Sequence, residues 1–206
     1  MTHTILTRRM ALLGGVALLG GCSALSALDA AAVPLDTYDL QPTPGATTGP
    51  RSAATLLVTL PEAAAPLSTD RLMIRPQPAS ITYLPDARWS DTLPIVIQSI
   101  LIRSIAGTGR VGFVGRTDGG PVPDRVLLVR IDRFEVAVTA PDTFTAQVDI
   151  TLTAIDDRTQ AVIGGRTFAQ MARATDASPA AVVAAFQRTM DVLTPAMADW
   201  AVGTAG

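Results

Sequence analysis

The residues of this chain that could do covalent chemistry are few. Among 206 residues there is one cysteine, Cys22, one histidine, His3, and no lysine, so all 16 basic side chains are arginine. Beyond residue 22 the chain therefore lacks the imidazole that is the usual general base, the amine that forms Schiff bases, and a second thiol. Neither a Ser-His-Asp nor a Cys-His site can be assembled there, nor a metal centre ligated by histidine or cysteine. What remains is carboxylate chemistry: paired acids acting on a glycosidic bond, or oxygen ligands around magnesium or calcium. The closest pair, Asp156-Asp157, precedes Arg158-Thr159 and reads first as a hairpin turn. This inventory points away from an enzyme and predicts no catalytic residue, no metal and no cofactor.

Cys22 carries the one sharp chemical signal. It follows Leu19-Gly20-Gly21, which closes an apolar and glycine-rich run from Met10, and that run follows Arg8-Arg9. A basic n-region and a short apolar h-region make an export signal. Its end resembles the bacterial lipobox, with aliphatic Leu19, small Gly20 and Gly21, and the Cys22 thiol. The resemblance implies a diacylglycerol on the Cys22 sulfur, cleavage between Gly21 and Cys22, and acylation of the new amino terminus, so the only added group is covalent lipid. Two other readings are a buried structural cysteine and a membrane-spanning anchor. A lone cysteine cannot form an internal disulfide, and the apolar run is shorter than the ~20 residues a spanning helix needs.

Arg8-Arg9 also partly matches the twin-arginine export signal, although Ala11 stands where that pattern prefers phenylalanine, so the Sec and twin-arginine routes both stay open. Serine rather than aspartate at position 23 implies sorting to the outer membrane, on its periplasmic face. Loss of residues 1–21 removes Arg8 and Arg9 but no acid, moving the formal charge from -2 to -4. A mildly acidic surface without a stacking set of aromatics predicts no nucleic-acid partner.

The remaining chain must position that anchor. Residues 1–21 are expected to be the signal peptide, 22–54 the lipidated cysteine and a flexible Ala/Pro/Thr/Gly-rich tether, and 55–206 the folded domain. Within the tether, residues 37–41 alternate around Tyr38 and suggest an edge strand. Thr55–Leu60, Arg71–Arg75 and Ile81–Leu84 read as short strands, the first two ended by Pro61 and Pro76. Trp89-Ser90-Asp91 is expected to open a helix, capped by Ser90 or Asp91, with Pro94 in its first turn and Gly107 as its stop.

Leu93, Val96, Ile97, Ile100, Leu101 and Ile105 form the core face of that helix, while Ile95 and Ile102 fall on the other side beside Gln98 and Ser99. Either a loop or the tether covers them, or they meet a subunit or partner. Val126–Val138 changes side-chain parity near Asp132-Arg133, which predicts a bulge. The cleanly alternating Phe144–Ala154 and then Ala161–Met171 complete a three-stranded antiparallel meander, turning at Pro141-Asp142 and Asp157-Arg158.

A last helix is capped by Ser178 and carries the stripe Val182, Phe186, Met190, Leu193, Met197 and Trp200, with Pro195 inside it. Gly107–Gly112 satisfies a G-x-G-x-x-G spacing but follows a helix and leads to a strand, so it reads as a turn. Gly115–Asp124 reads as a mobile surface loop. The fold expected is α/β of the α+β kind: a largely antiparallel, mixed sheet with two main helices packed on it.

The Cys22 anchor, Tyr38-Asp39-Leu40, Asp70–Arg75, Tyr83 and Ala87-Arg88-Trp89-Ser90-Asp91 together resemble the ABC-type transport auxiliary lipoprotein family, from about Tyr38 to Trp200. The resemblance implies a noncatalytic, outer-membrane-tethered subunit of an ABC-type phospholipid transport system, with an MCE-domain protein as partner and a homo-oligomer as a further possibility. The partner contact is placed on Ile95 and Ile102 or on the edge strand near Tyr38. The alternative is a lipoprotein that activates or assembles another envelope complex, such as a cell-wall synthase.

Overall fold

The computed structural model describes residues 35–206, and Gly21 and Cys22 lie outside the described residues. The body runs from Asp36 to Gly206. Its strands are β1 (Asp36–Tyr38), β2 (Thr55–Val58), β3 (Glu62–Ala63), β4 (Arg71–Gln77), β5 (Ser80–Trp89), β6 (Phe113–Arg116), β7 (Arg125–Ala140), β8 (Thr143–Asp156) and β9 (Ala161–Arg173). Helix α1 (Leu93–Ala106) lies between β5 and β6, and α2 (Pro179–Thr204) follows β9.

β7 is the spine of the sheet. One edge pairs with antiparallel β8 along nearly its whole length, and β8 pairs with antiparallel β9. The other edge is shared in succession by three parallel neighbours: β2 at Arg125–Leu127, β3 at Arg130–Ile131 and β4 at Val136–Ala137. β6 extends the sheet from β2, while antiparallel β5 and then parallel β1 extend it from β4. The sheet is mixed, and its longest pairings are antiparallel.

The parity change in β7 is a bulge. Register shifts between Ile131 and Arg133, leaving Asp132 as the extra residue. Leu127, Val129 and Ile131 before it, and Phe134 and Val136 after it, therefore all turn toward the helices and are buried. Opposite them Ala146, Val148, Ile150, Leu152 and Ala154 of β8 are fully buried, as period-2 alternation requires. α2 packs over β8 and β9, while α1 sits between α2 and β6. An aromatic trio joins these layers. Phe134 stacks on Phe186 of α2 at 4.6 Å, and Trp89 meets both rings edge-on at 5.9 and 5.6 Å.

Several local readings change. Pro76 does not end β4, because the strand continues to Gln77 across an irregular stretch of the β4–β5 ladder, where a missing N–H is tolerated. Trp89 closes β5 instead of opening α1. The residue before α1 is Thr92, without a side-chain cap; Ser90 Oγ instead donates to Asp39 at 3.1 Å, and Asp91 Oδ1 accepts the Thr92 N–H.

Gly107 does follow the helix, but with φ of -61° its lack of a side chain serves another need: a Cβ would lie 2.9 Å from Pro44. Gly115 belongs to strand β6, so only the stretch after Arg116 is loop. The second hairpin turn has four residues, Asp157–Gln160, closed by left-handed Gln160 at φ 57°. In α2, Ser178 Oγ caps the Ala181 N–H, and the helix runs through Pro195 unbroken.

The largest difference concerns the segment read as tether, which is folded from Asp36 onward. β1 pairs with β5, Leu40 is fully buried, Gln41–Ala46 lies against α2, and Gly49–Ala54 runs beside Arg110–Phe113. Thr43 Oγ1 donates to Asp191 at 3.0 Å, the Ala46 N–H to Asp199 at 2.8 Å, and Ser52 Oγ to the Ala205 carbonyl at 2.8 Å. Of these, the Asp199 carboxylate satisfies a backbone N–H directly, while the other two bonds fasten side chains of a segment with no sheet of its own beyond β1.

Candidate functional site

Tyr38 ends β1 opposite Trp89. Its ring is half-buried against the core, and its carbonyl accepts the Ser90 N–H at 2.8 Å. Asp39 follows, tied to Ser90. Ile95, one turn into α1, lines a cleft of about 260 Å³ with Asp39, Ser90, Ser99, Arg103 and Arg116. The fold therefore brings together the two regions singled out separately, the end of the edge strand and the outer side of α1. Ile102, two turns further along, is half-buried and packs against the core beside β6. Gln98, expected beside these isoleucines, turns inward: it is 4% exposed and donates from Nε2 to the Val58 carbonyl at 3.0 Å.

Arg103 and Arg116 are exposed, and among the described residues neither forms an ion pair. Neither carries a signal in the sequence: Arg116 stands in a glycine-rich stretch that reads as loop, and Arg103 has only the ordinary signature of a helix's last turn. The cleft joins Asp39 and Asp91, near the start of α1, to the guanidinium groups of Arg103 on α1 and Arg116 on β6, over the apolar Ile95. Such a surface can dock a partner with both apolar and charged contacts.

The face of the sheet away from the helices is polar and internally paired. Arg130 holds Asp132 at 2.6 Å, Asp132 accepts from Thr151 at 2.6 Å, and Arg133 bridges to Asp149 at 3.5 Å. Arg75 holds Glu135 at 2.8 Å over a groove of about 700 Å³. The hydrogen bond from Arg130, then that from Thr151, holds the Asp132 carboxyl below the usual range despite its partial desolvation. Asp156 is lowered by the Thr159 N–H and hydroxyl and pairs with Arg125 at 2.7 Å, which makes it the anchor of its turn. Asp132, Asp156 and Asp176 all move down, each mainly through the hydrogen bonds it accepts. Among the described residues no three acids gather to hold a metal ion, and no helix is long and apolar enough to cross a membrane.

Over residues 38–198 the chain matches the family described as the ABC-type transport auxiliary lipoprotein component. A protein of Bradyrhizobium diazoefficiens, bll6063, is 30% identical over 170 residues, which are 81% of this chain and 44% of that protein. The chain thus spans less than half the length of this relative. The crystal structure of XCC0632 from Xanthomonas campestris superposes with a TM-score of 0.74 at 23% identity, covering 82% of this chain and 96% of that one. A second crystal structure, of an uncharacterised protein, gives a TM-score of 0.54 at 13% identity over 82% and 95% of the two chains. Both structures speak to the fold. With the family match running from the edge strand at Tyr38 through nearly all of α2, this chain belongs to the ABC-type transport auxiliary lipoprotein family.

Proposed function

We propose that this protein is a lipid-anchored, noncatalytic subunit on the periplasmic face of the outer membrane, docking an MCE-domain protein of an ABC-type phospholipid transporter. The observation that carries the reading is the family match over residues 38–198, preceded at a short distance by the lipobox ending at Cys22. A diacylglycerol and an amide-linked acyl chain on Cys22 would exceed the two signals needed for stable anchoring. With the body starting at Asp36, the linker is about 13 residues and reaches at most ~45 Å. The domain would be held close to the bilayer, and the cleft around Ile95 is the docking surface.

The test is crosslinking in the native envelope followed by identification of the captured protein. Capture of an MCE protein supports the reading; capture of a cell-wall synthase instead overturns it. Ile95→Asp with Ile102→Asp should abolish that capture. Because Ile102 touches the core, the exposed pair Arg103→Glu with Arg116→Glu serves as the variant that keeps the fold, and unchanged capture would refute the cleft. Cys22→Ala should release the protein from the membrane, and Ser23→Asp should move it to the inner membrane.

A further inference from the structure

β9 is the long open edge of the sheet. Its described partner is β8 alone, so along Ala161–Arg173 one row of backbone N–H and C=O groups faces away from the sheet. Features that usually blunt such an edge are sparse: the strand has no proline, lysine or acid, only two glycines, two arginines and a register shift at Ile163. It instead exposes apolar side chains, with Val162 65%, Ile163 43% and Met171 63% accessible.

We infer that β9 pairs antiparallel with β9 of a second copy, about a two-fold axis passing through Thr167 perpendicular to the sheet. Such an axis keeps the helices of both copies on one side, so opposed residues must belong to the same face, and only centres on a residue are allowed. A centre on Arg166 sets that arginine against its own copy. One on Phe168 sets Ile163 against Arg173. The centre on Thr167 sets Ile163 opposite Met171 twice and Gly165 opposite Ala169. It also sets Arg166 opposite Phe168, the ring type its guanidinium already covers at 4.8 Å within the chain.

The two-fold keeps the helix layers of both copies on the same side of the joined sheet. α2 lies over both β8 and β9, fastened to β9 where Arg188 donates to the Arg173 carbonyl at 2.7 Å and where Trp200 meets Phe168 at 6.1 Å. With strands about 4.8 Å apart and α2 above the β8–β9 midline, the two-fold sets the α2 axes about 10 Å apart, an ordinary helix-packing distance. The inference stands independently of the transport role.

The experiment uses the full chain in membranes. Opposed residues of an antiparallel pair have Cα atoms about 4.5–5.5 Å apart, within disulfide reach. Thr167→Cys should therefore give a disulfide-linked dimer on mild oxidation, beyond any band the parent chain gives through Cys22. Gly165→Cys alone should not crosslink, but should do so when co-expressed with Ala169→Cys. Met171→Arg, at an exposed position that leaves the circular dichroism unchanged, should weaken dimerisation of the detergent-extracted chain about tenfold in sedimentation. A monomeric parent chain, an oligomer without the Thr167→Cys link, or a Met171→Arg chain that dimerises unchanged would each overturn the assignment.

Discussion

The side-chain amide of Gln187 closes two hydrogen bonds on the backbone of Gln41, 146 residues away: its Oε1 accepts the Gln41 N–H at 2.9 Å and its Nε2 donates to the Gln41 carbonyl at 3.1 Å. Gln187 thereby does for one residue what a neighbouring strand does for many. Beside it the fully buried Leu40 seats the segment in the core.

Gln187→Ala should cost about 1–2 kcal/mol in urea unfolding, since it deletes both bonds and leaves their backbone partners to water. Amide exchange at Gln41–Ser52 should rise with little change in the meander. Unchanged exchange there would mean that Leu40 and the Asp191 and Asp199 contacts suffice to hold the segment.

Gly112→Ala should destabilise by about 1–3 kcal/mol, because a Cβ there would overlap the Ala53 carbonyl oxygen, a backbone atom that cannot swing aside. Gly203→Ala is the contrasting case. It lies in α2 with nothing within 4 Å of an added methyl, so it should stabilise by up to about 1 kcal/mol. Thermal unfolding of the two variants should move in opposite directions.

Arg75→Ala should cost about 2 kcal/mol by denaturant titration. It strands the Glu135 carboxylate, whose side chain is only 7% exposed, and the partial exposure of Arg75 keeps the loss below that of a fully buried pair. Arg75→Met combined with Glu135→Leu should recover most of the stability, since the charge and its partner leave together. A double variant as unstable as the single one would mean that the pair is needed for packing.

Stability should be flat from about pH 5 to 8, because no histidine lies in the described body. Asp132, Asp156 and Asp176 have folded pKa values below their ordinary range, mainly through hydrogen bonds from Arg130, Thr159 and Ser178 respectively. A depressed carboxylate adds stability that is complete above its unfolded pKa and lost as pH falls through the folded one. Melting temperature should therefore drop below about pH 4. Asp156→Asn should shrink that drop; an equal drop in the variant would assign the acid sensitivity to the other carboxylates.

The sequence by itself determined what depends on covalent motif and local period. Leu19–Cys22 resembles a lipidation signal through four adjacent residues. The alternation of Phe144–Ala154, the parity change at Asp132 and the three-to-four spacing from Val182 to Trp200 specify meander, bulge and closing helix, because each pattern repeats within one element.

Tertiary structure decided the rest, since its causes lie far apart in the chain. The segment after Tyr38 has no periodicity, and its order comes from Gln187, Asp191 and Asp199 on a helix formed at the other end of the sequence. β6 exists because β2 offers it a parallel edge, and Gln98 is buried because Val58 presents a carbonyl to receive it. The cleft that unites Asp39, Ile95, Arg103 and Arg116 appears only when β1, α1 and β6 meet. No window of sequence contains a hydrogen bond whose partners are separated by more than a hundred residues, and those bonds hold the segment between Tyr38 and β2 in place.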